Sequence, residues 1–365
     1  VKTITKNALP EKKIDHLKTL TDDTGIKQHA THTIPDRTHG NCTDDKARDI
    51  HVDAKGRKYL HADSMFLDSL GSQYLSFLLY AYNVEAGRFR NFMTYARQWA
   101  EEVGSEDAHG RVIWGLGKSV AFLDNPGHLA MSTALFKQGL MAVEHFASPR
   151  AIAFALVGIH AYLQKFSGDS EVRHVREILA GRLFNQFKSN ASKDWPWLES
   201  TLNYANGKLP HALILSGQWM QHNDMIDMGL RSLTWLVSIQ TEDGHFVPIG
   251  NNGWYKQGGP KARFDQQPIE AHAMIEACVE AFNVTRDRTW IDSAVMCFNW
   301  YLGQNDLNMS LYDPKTGGCR DGLMADGINQ NEGAESSLAW LLSLMTLQKL
   351  YADVILKQAS SPPTG

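Results

Sequence analysis

Apolar residues recur at helical spacing through most of the chain. In residues 66–81, apolar side chains return every three or four positions, and the pattern ends at a turn over residues 83–87. The same spacing recurs in segments at roughly 108–124, 128–146, 149–166, 170–189, 208–220, 224–239, 267–283, 287–303 and 333–356. Strand-like alternation is confined to residues 244–249, which predict a small hairpin at most. The chain is therefore predicted to be all-α, with about twelve helices paired as antiparallel hairpins.

Six short polar motifs each precede an apolar helical segment. They occupy residues 43–48, 106–111, 148–150, 203–208, 265–270 and 331–336. Their spacing leaves room for two helices and two loops between successive motifs, so six hairpins can close into a ring. The motifs precede alternate helices, and we therefore expect all six at one end of the ring, which we call the mouth. Helix N-termini would point their free N–H groups there.

The fold prediction is a single (α/α)6 barrel, or six-hairpin toroid, spanning residues 1–365. Residues 1–43 are predicted to form an N-terminal helix and loop, and residues 357–365 a tail. The unbroken apolar run at 151–159 is typical of an inner helix, whereas the amphipathic segment 170–189 is typical of an outer one. Residues 49–57, which continue the first motif, are polar. We therefore expect the first inner helix to be short or distorted.

Composition restricts the class of protein. The chain has 365 residues, 43% hydrophobic, with a net charge of −4 and no basic stripe, so nucleic acid is not an expected partner. The longest apolar runs fall short of the roughly 20 residues that span a membrane. The four cysteines show no CxxC spacing, which favours a reducing compartment. A cytoplasmic location is expected, and a leader removed from the natural protein is left open.

Several motifs resemble those of a known family. The stretches 42–45, 104–111, 264–271 and 331–336, together with the opening segment 20–30, are similar to a family of bacterial (α/α)6-barrel proteins. Members are found beside, or fused behind, glycosyltransferases and mannoside phosphorylases. The resemblance covers about residues 14 to 350. It implies the barrel fold, glycoside-hydrolase-like activity with a leaning toward mannose, and a glycosyltransferase as a possible partner.

The motifs are rich in carboxylates, the groups that hydrolyse glycosidic bonds. One protonated acid must assist the leaving oxygen, while a second carboxylate attacks the sugar or activates water. The candidate catalytic residues are Asp44, Asp45, Asp265, Glu270, Glu332, Glu335 and His109. The preferred pair is Asp45 facing Glu270 or Asp265, with Glu332 or Glu335 as substitutes. Inversion is expected, as in similar barrels, and requires a gap of roughly 6.5–9.5 Å. Each acid could equally serve only to cap a helix N-terminus.

Sugar binding requires aromatic rings for the apolar ring faces and polar groups for the hydroxyls. The candidate binding residues are Arg48, Arg111, Trp197, Tyr204, Asn206, Trp254, Gln267 and Asp321. Trp197, Tyr204 and Trp254 are included because they lie in predicted loops at the mouth. His29, His32 and His39 lie in a loop without a second ligand motif, so no metal is predicted. No cofactor is predicted either.

Three functions follow from these residues. The first is a glycoside hydrolase that uses paired carboxylates on a mannose- or glucose-containing oligosaccharide. The second is a sugar epimerase or isomerase, because enzymes of similar fold use paired histidines as acid and base; His109 and the weaker His211 are the candidates. The third is a non-catalytic protein that binds glycan for an associated glycosyltransferase.

Overall fold

The structure is a computed structural model that describes residues 9–59 and 64–359. Its helices are α1 (Asp15–Leu20), α2 (Thr43–Tyr59), α3 (Ser64–Ala81), α4 (Glu106–Phe122), α5 (Pro126–Val143), α6 (Pro149–Lys165), α7 (Ser170–Asn190), α8 (Lys208–Met220), α9 (Asn223–Ile239), α10 (Pro268–Thr285), α11 (Thr289–Tyr301) and α12 (Ala334–Ala359). None of these helices is long and apolar enough to cross a lipid bilayer.

Alternate helices form a closed inner ring. Helices α2, α4, α6, α8, α10 and α12 each pack against the next, and α12 packs against α2. Helices α3, α5, α7, α9 and α11 each lie outside the inner helix that precedes them. The short helix α1 packs on α12 and so takes the place of the sixth outer helix. The predicted all-α (α/α)6 barrel, a single domain, is confirmed.

The two ends of the ring differ in their connections. At the far end, the described inner helices lead into outer helices through short turns such as 123–125 and 221–222. At the mouth, longer loops carry paired strands of two or three residues. These are β1 (Thr21–Asp22), β2 (Gly25–Ile26), β3 (His29–Thr31), β4 (Ile34–Asp36), β5 (Asn41–Cys42), β6 (Tyr82–Asn83), β7 (Arg88–Phe89), β8 (Phe92–Met93), β9 (Thr201–Leu202), β10 (Thr241–Glu242), β11 (His245–Phe246), β12 (Tyr255–Lys256), β13 (Gly322–Met324) and β14 (Gly327–Asn329). The β10–β11 pair is the small predicted hairpin.

Glycines allow the inner helices to approach closely. A Cβ atom on Gly158 of α6 would lie 2.3 Å from the carbonyl oxygen of Ile113 on α4, and one on Gly117 would lie 2.1 Å from that of Gly158. On the opposite side of α4, a Cβ on Gly115 would lie 2.1 Å from the carbonyl oxygen of Ala47. These positions have no room for a side chain, so glycine sets the spacing of the ring between α2 and α6.

The apolar inner segment and the cap of α6 match their predictions. Residues 151–159 are buried throughout, as expected for an inner helix. Ser148 caps helix α6, because its side chain accepts a hydrogen bond from Ala151 N, and Pro149 is the first residue of the helix.

Two helices run farther than the sequence patterns indicated. Helix α2 runs for 17 residues, the same length as α4, because buried Asp49, Ile50 and Val52 tie its polar sequence to the core. Helix α12 extends to Ala359, into the segment predicted as a tail. The predicted N-terminal helix and loop contain α1 and strands β1 to β5. Residues 1–8 and 360–365 lie outside the described part of the chain.

The glycine contacts predict opposite effects for two substitutions. Gly158→Ala should destabilise the protein by about 1–3 kcal/mol, because its methyl group overlaps the backbone of α4. Gly181→Ala, in outer helix α7 with open space around the position, should stabilise it by about 0.4–1 kcal/mol. Both values can be measured by chemical denaturation. A Gly158→Ala protein as stable as the Gly181→Ala protein would contradict the close approach of α4 and α6.

Candidate active site

The six polar motifs meet around one mouth, as predicted. Arg48 of α2 reaches Glu335 of α12 at 2.7 Å, and Arg111 of α4 lies 3.9 Å from Asp44 of α2. Farther round, Arg150 of α6 donates to the backbone oxygen of Tyr204 at 2.6 Å, in the loop that leads into α8. The contacts thus join motifs separated by nearly 300 residues in the chain.

Arg48 lies between three carboxylates. Its Nη1 is 2.8 Å from Asp45 Oδ1, and its Nη2 is 3.2 Å from Asp44 Oδ2 and 2.7 Å from Glu335 Oε2. The side chains differ in access to solvent: 3% of Asp45 is exposed, against 16% of Asp44 and 40% of Glu335. Asp44 and Glu335 therefore face the mouth, whereas Asp45 lies beneath them.

Arg111 pairs with Asp107 and lies near Glu335, which also pairs with Arg48. Its Nε is 2.7 Å from Asp107 Oδ2, and its Nη1 is 3.8 Å from Glu335 Oε2. Its guanidinium also stands over the ring of Tyr204, 5.7 Å from the centroid. We call the four acids and two arginines, Asp44, Asp45, Asp107, Glu335, Arg48 and Arg111, the mouth cluster.

Burial raises the pKa of two acids in the mouth cluster. Burial and the neighbouring Asp44 carboxylate raise the pKa of Asp45 well above its usual value, against the opposing charge of Arg48. The same two causes raise the pKa of Asp107 to about 6, although Arg48, Arg150 and a hydrogen bond from Tyr204 act in the other direction. The mouth therefore holds at least one acid that titrates near neutral pH.

A cavity of about 310 Å³ opens beside the mouth cluster, between the starts of α10 and α12. Its wall carries four side-chain amides, two carboxylates and an imidazole: Gln28, Gln267, Asn329, Asn331, Asp321, Glu335 and His29. We call it the rim cavity. Its volume is at the lower end of the range for small-molecule sites. Two predicted binding residues, Gln267 and Asp321, thus lie in one wall.

The side chains that line the rim cavity are neutral or acidic. Among the described residues, no Lys or Arg lines it. Burial raises the pKa of Asp321, whose Oδ1 accepts a hydrogen bond from Gly333 N at 2.7 Å. Burial and the nearby His39 lower the pKa of His29, while Asp321 and Glu335 oppose that shift. The His29 imidazole is therefore neutral at pH 7. Such a wall suits a ligand with many hydroxyl groups better than an anion.

Glu270 and Asn206, predicted as catalytic and substrate-binding residues, are instead bound to each other. Glu270 is buried, and its carboxylate accepts hydrogen bonds from Ala205 N and from the Asn206 side chain, the latter at 3.2 Å. Burial raises the pKa of Glu270 to about 7. The Oδ1 of Asn206 accepts a hydrogen bond from Arg150. These contacts hold the loop before α8 in place and leave neither side chain open to a substrate.

Glu332 is also buried away from the mouth. Its Oε1 lies 2.7 Å from Arg320, and its Oε2 accepts a hydrogen bond from Thr316 at 2.8 Å. The backbone oxygen of Glu332 accepts a further bond from His16 of α1. Glu332 therefore links the start of α12 to α1 and to the preceding loop. Glu335, three residues later, faces the cavity instead.

His109 faces the outer layer rather than the mouth. Its Nε2 donates to the Gly139 backbone oxygen at 2.8 Å, its Nδ1 accepts from Phe89 N, and burial lowers its pKa to about 3. Asp107 and Arg111 are four positions apart and share one face of α4. His109 stands between them in sequence and so falls on the opposite face. Helical periodicity alone could have excluded this candidate.

Trp197 is a core residue, contrary to the prediction that it binds substrate. It is fully buried against Phe187 and Trp235.

Trp254 and Asp265 lie in the loop between β11 and α10, where both have positive φ angles, 58° and 55°. Neither lines the rim cavity. Tyr204 is half-buried at the mouth, hydrogen-bonded to Asp107 and 5.0 Å from the Arg150 guanidinium.

The sequence analysis missed the contribution of the N-terminal segment to the site. Gln28 and His29 reach the rim cavity because the segment runs along the start of α12, where the Gln28 backbone oxygen accepts a hydrogen bond from Ala334 N. The segment's resemblance to the family's opening was visible in the sequence. Its position beside α12 was not, because the contact joins residues about 300 positions apart.

One group of potential metal ligands exists among the described residues. Cys42, Asp44 and Asp45 each place a ligand atom within 4.8 Å of the others. Burial and the two carboxylates raise the pKa of the Cys42 thiol well above its usual value, and the thiol donates to Asp44. Because metals bind the thiolate, this group fits a hydrogen-bond network better than a metal site.

Comparison with known sequences finds no matching family model and no matching curated protein. Solved structures, in contrast, share the fold. A sugar epimerase from a ruminal bacterium superposes with a TM-score of 0.70 at 12% identity, covering 92% of this chain and 94% of that one. A D-mannose isomerase superposes with a TM-score of 0.69 at 11% identity, covering 92% of this chain and 96% of that one.

A glycoside hydrolase has a similar fold too. The GH76 α-mannanase of Bacteroides thetaiotaomicron superposes with a TM-score of 0.63 at 13% identity, covering 94% of this chain and 95% of that one. At such low identity these likenesses establish the (α/α)6 barrel over nearly the full chain and nothing finer.

Proposed function

We propose that the protein is a carbohydrate-active enzyme that hydrolyses a glycosidic bond at its mouth, with a sugar held in the rim cavity. One observation carries the proposal. Glu335 lines the rim cavity and at the same time belongs to the mouth cluster, where it shares Arg48 Nη2 with Asp44. A sugar in the cavity would therefore lie against a group of acids of the kind that glycoside hydrolysis needs.

The cavity wall supports a neutral saccharide as substrate. Amides of Gln28, Gln267 and Asn331 can donate to and accept from hydroxyl groups. A sugar phosphate would meet Asp321 and Glu335 without a lining cation, which disfavours phosphorylated or nucleotide-linked sugars. Mannose or glucose is the proposed sugar. The resemblance in the motifs supports mannose, as do two structural neighbours, an α-mannanase and a D-mannose isomerase.

Among the acids predicted from the sequence, Glu335 and Asp44 are the proposed catalytic carboxylates. Both face the mouth, and both pair with Arg48 Nη2. Glu335, which lines the cavity, would attack the sugar or activate water. Inversion remains the expected outcome from the resemblance. The association with a glycosyltransferase and the cytoplasmic location also rest on sequence reasoning and remain predictions.

Glu335→Gln should lower the rate of oligosaccharide hydrolysis by about 10²–10⁴-fold, because the amide can neither attack nor remove a proton. Asp44→Asn should also reduce turnover. Rates and anomeric products are measured by chromatography and NMR with a panel of mannose- and glucose-containing oligosaccharides. The matched control is Glu171→Gln on outer helix α7, which should hydrolyse at the wild-type rate. Full activity of Glu335→Gln would refute the assignment. Binding without any product would instead favour a glycan-binding protein.

Sugar epimerisation or isomerisation is the second candidate, favoured by the position of His29. Its ring lines the rim cavity, 4.7 Å from the ring of His39, and burial, which lowers its pKa, favours the neutral imidazole that can remove a proton next to a carbonyl group. This histidine replaces His109, which faces away from the mouth. His211 is buried on α8 behind the mouth, with its pKa lowered well below the usual value by burial and Lys208.

Incubation of free mannose and glucose in D₂O separates the two candidates. An epimerase or isomerase gives the epimer or ketose, and deuterium from solvent appears at C2 if the proton exchanges. His29→Asn should abolish this activity, because the amide is not basic. His32→Asn is the control, since position 32 has a φ of 55° that asparagine tolerates. Unchanged sugars, with oligosaccharide cleavage, would exclude the second candidate.

A further inference from the structure

Hydrolysis of a glycoside requires a proton donor for the leaving oxygen besides the carboxylate that faces the sugar. We propose that Asp107 is this donor, on the basis of its position in the mouth and of the charges around it. The inference rests on the proposed function and adds a catalytic residue to it. It pairs Asp107 with Glu335 in place of the pairing of Asp45 with Glu270 or Asp265 expected from the sequence. Asp44 then supports the reaction through its charge, next to Asp107 and on the arginine that it shares with Glu335.

The number of charges in the mouth cluster indicates that part of it is protonated. Four carboxylates share only two guanidiniums, those of Arg48 and Arg111. Two further cations lie nearby, but Arg150 is paired with Glu199 at 2.6 Å, and Lys46, next to Asp45, donates to Ile26 O and Asn41 Oδ1. Like charges held this close in a partly buried site do not all remain ionised. One or more of the four acids should therefore keep a proton near neutral pH.

Access distinguishes which protonated acid can reach a substrate. Asp45 is enclosed beneath Arg48, whereas 24% of the Asp107 side chain is exposed. Asp107 Oδ1 is buried, so the proton would be donated from Oδ2, the oxygen that lies 2.7 Å from Arg111 Nε. Asp107 lies in the first turn of α4, across Arg111 from Glu335. The hydroxyl of Tyr204 forms a hydrogen bond with it. A glycosidic oxygen placed between Asp107 and Glu335 would therefore face an acid on one side and a carboxylate on the other.

Charged and titratable groups from every neighbouring element act on Asp107. Helix α2 contributes Asp44 and Arg48, α6 contributes Arg150, and the loop before α8 contributes Tyr204. On α4 itself Arg111 pairs with Asp107, and it also lies 3.8 Å from Glu335 of α12. Burial and Asp44 outweigh the cations and raise the pKa of Asp107 to about 6. A large fraction of Asp107 is thus protonated at pH 6, and most of it at pH 5.

The bond between C1 and the glycosidic oxygen breaks, its electron pair stays with that oxygen, and the oxygen takes the proton of Asp107. Water adds to C1 and gives one proton to the Glu335 carboxylate. Transfer of that proton back to Asp107 through solvent restores the enzyme, so one water is consumed for each bond cleaved.

Leaving-group dependence tests the donor role of Asp107. Asp107→Asn should slow cleavage of an oligosaccharide by about 10²–10⁴-fold, because the sugar alkoxide needs a proton to leave. An aryl glycoside with an acidic dinitrophenol does not need that proton, so its cleavage should slow less than about tenfold. In the wild type, kcat for the oligosaccharide should fall as the pH rises above about 6, and Asp107→Asn should lack this decline.

Glu106→Gln is the control, since this neighbouring acid accepts hydrogen bonds from Ala147 N and Ser148 N instead of facing the mouth. It should keep the wild-type ratio of the two rates and the wild-type pH profile. Melting temperatures of all variants show whether they fold. Equal loss on both substrates in a folded Asp107→Asn protein overturns the donor role while leaving the proposed function in place. A wild type that cleaves neither substrate overturns the proposed function itself.

Discussion

The sharing of two buried arginines by four carboxylates is the interaction on which the mouth of this barrel depends. An arginine cannot lose its charge inside a protein, so Arg48 and Arg111 can be buried only with acids around them. Their partners come from the first turns of α2, α4 and α12, where the positive ends of the helix dipoles also stabilise anions. The cluster thus closes the ring between the first and last inner helices and concentrates titratable groups in one place.

The backbone of the ring makes that concentration possible. Glycines on α4 and α6 allow the inner helices to pack at backbone contact, which brings their N-termini close together. The short turns at the far end leave little surface for a site, whereas the long loops at the mouth carry Gln28, His29 and Asp321 over the starts of α10 and α12. The helices therefore fix the positions of the acids, and the loops form the wall of the cavity beside them.

Acidic residues in similar motifs have different roles because their surroundings differ. Glu270 accepts backbone hydrogen bonds from the loop before α8, and Glu332 pairs with Arg320, so both stabilise loops. Glu335, one helical turn from Glu332, faces the cavity instead. A buried carboxylate with protein partners contributes to conformational stability, whereas one with an open side can act on a ligand. Of the four acids in the mouth cluster, Asp44, Asp107 and Glu335 have side chains with access to solvent, whereas Asp45 does not.

The sequence by itself determined the helices, their pairing and the common mouth, because apolar spacing and helix caps are local signals. Its motifs also predicted Asp44, Glu335 and Gln267 as candidate site residues, and the loop before the last motif predicted Asp321. Tertiary structure alone decided which acids are open, since burial depends on partners far away in the chain: Glu270 meets Ala205, and Glu332 meets Arg320 and His16. The same applies to His29, which reaches the cavity only because the N-terminal segment pairs with the start of α12. Helical periodicity gives the direction of a side chain, but the fold gives its neighbours, and the neighbours set its charge and its role.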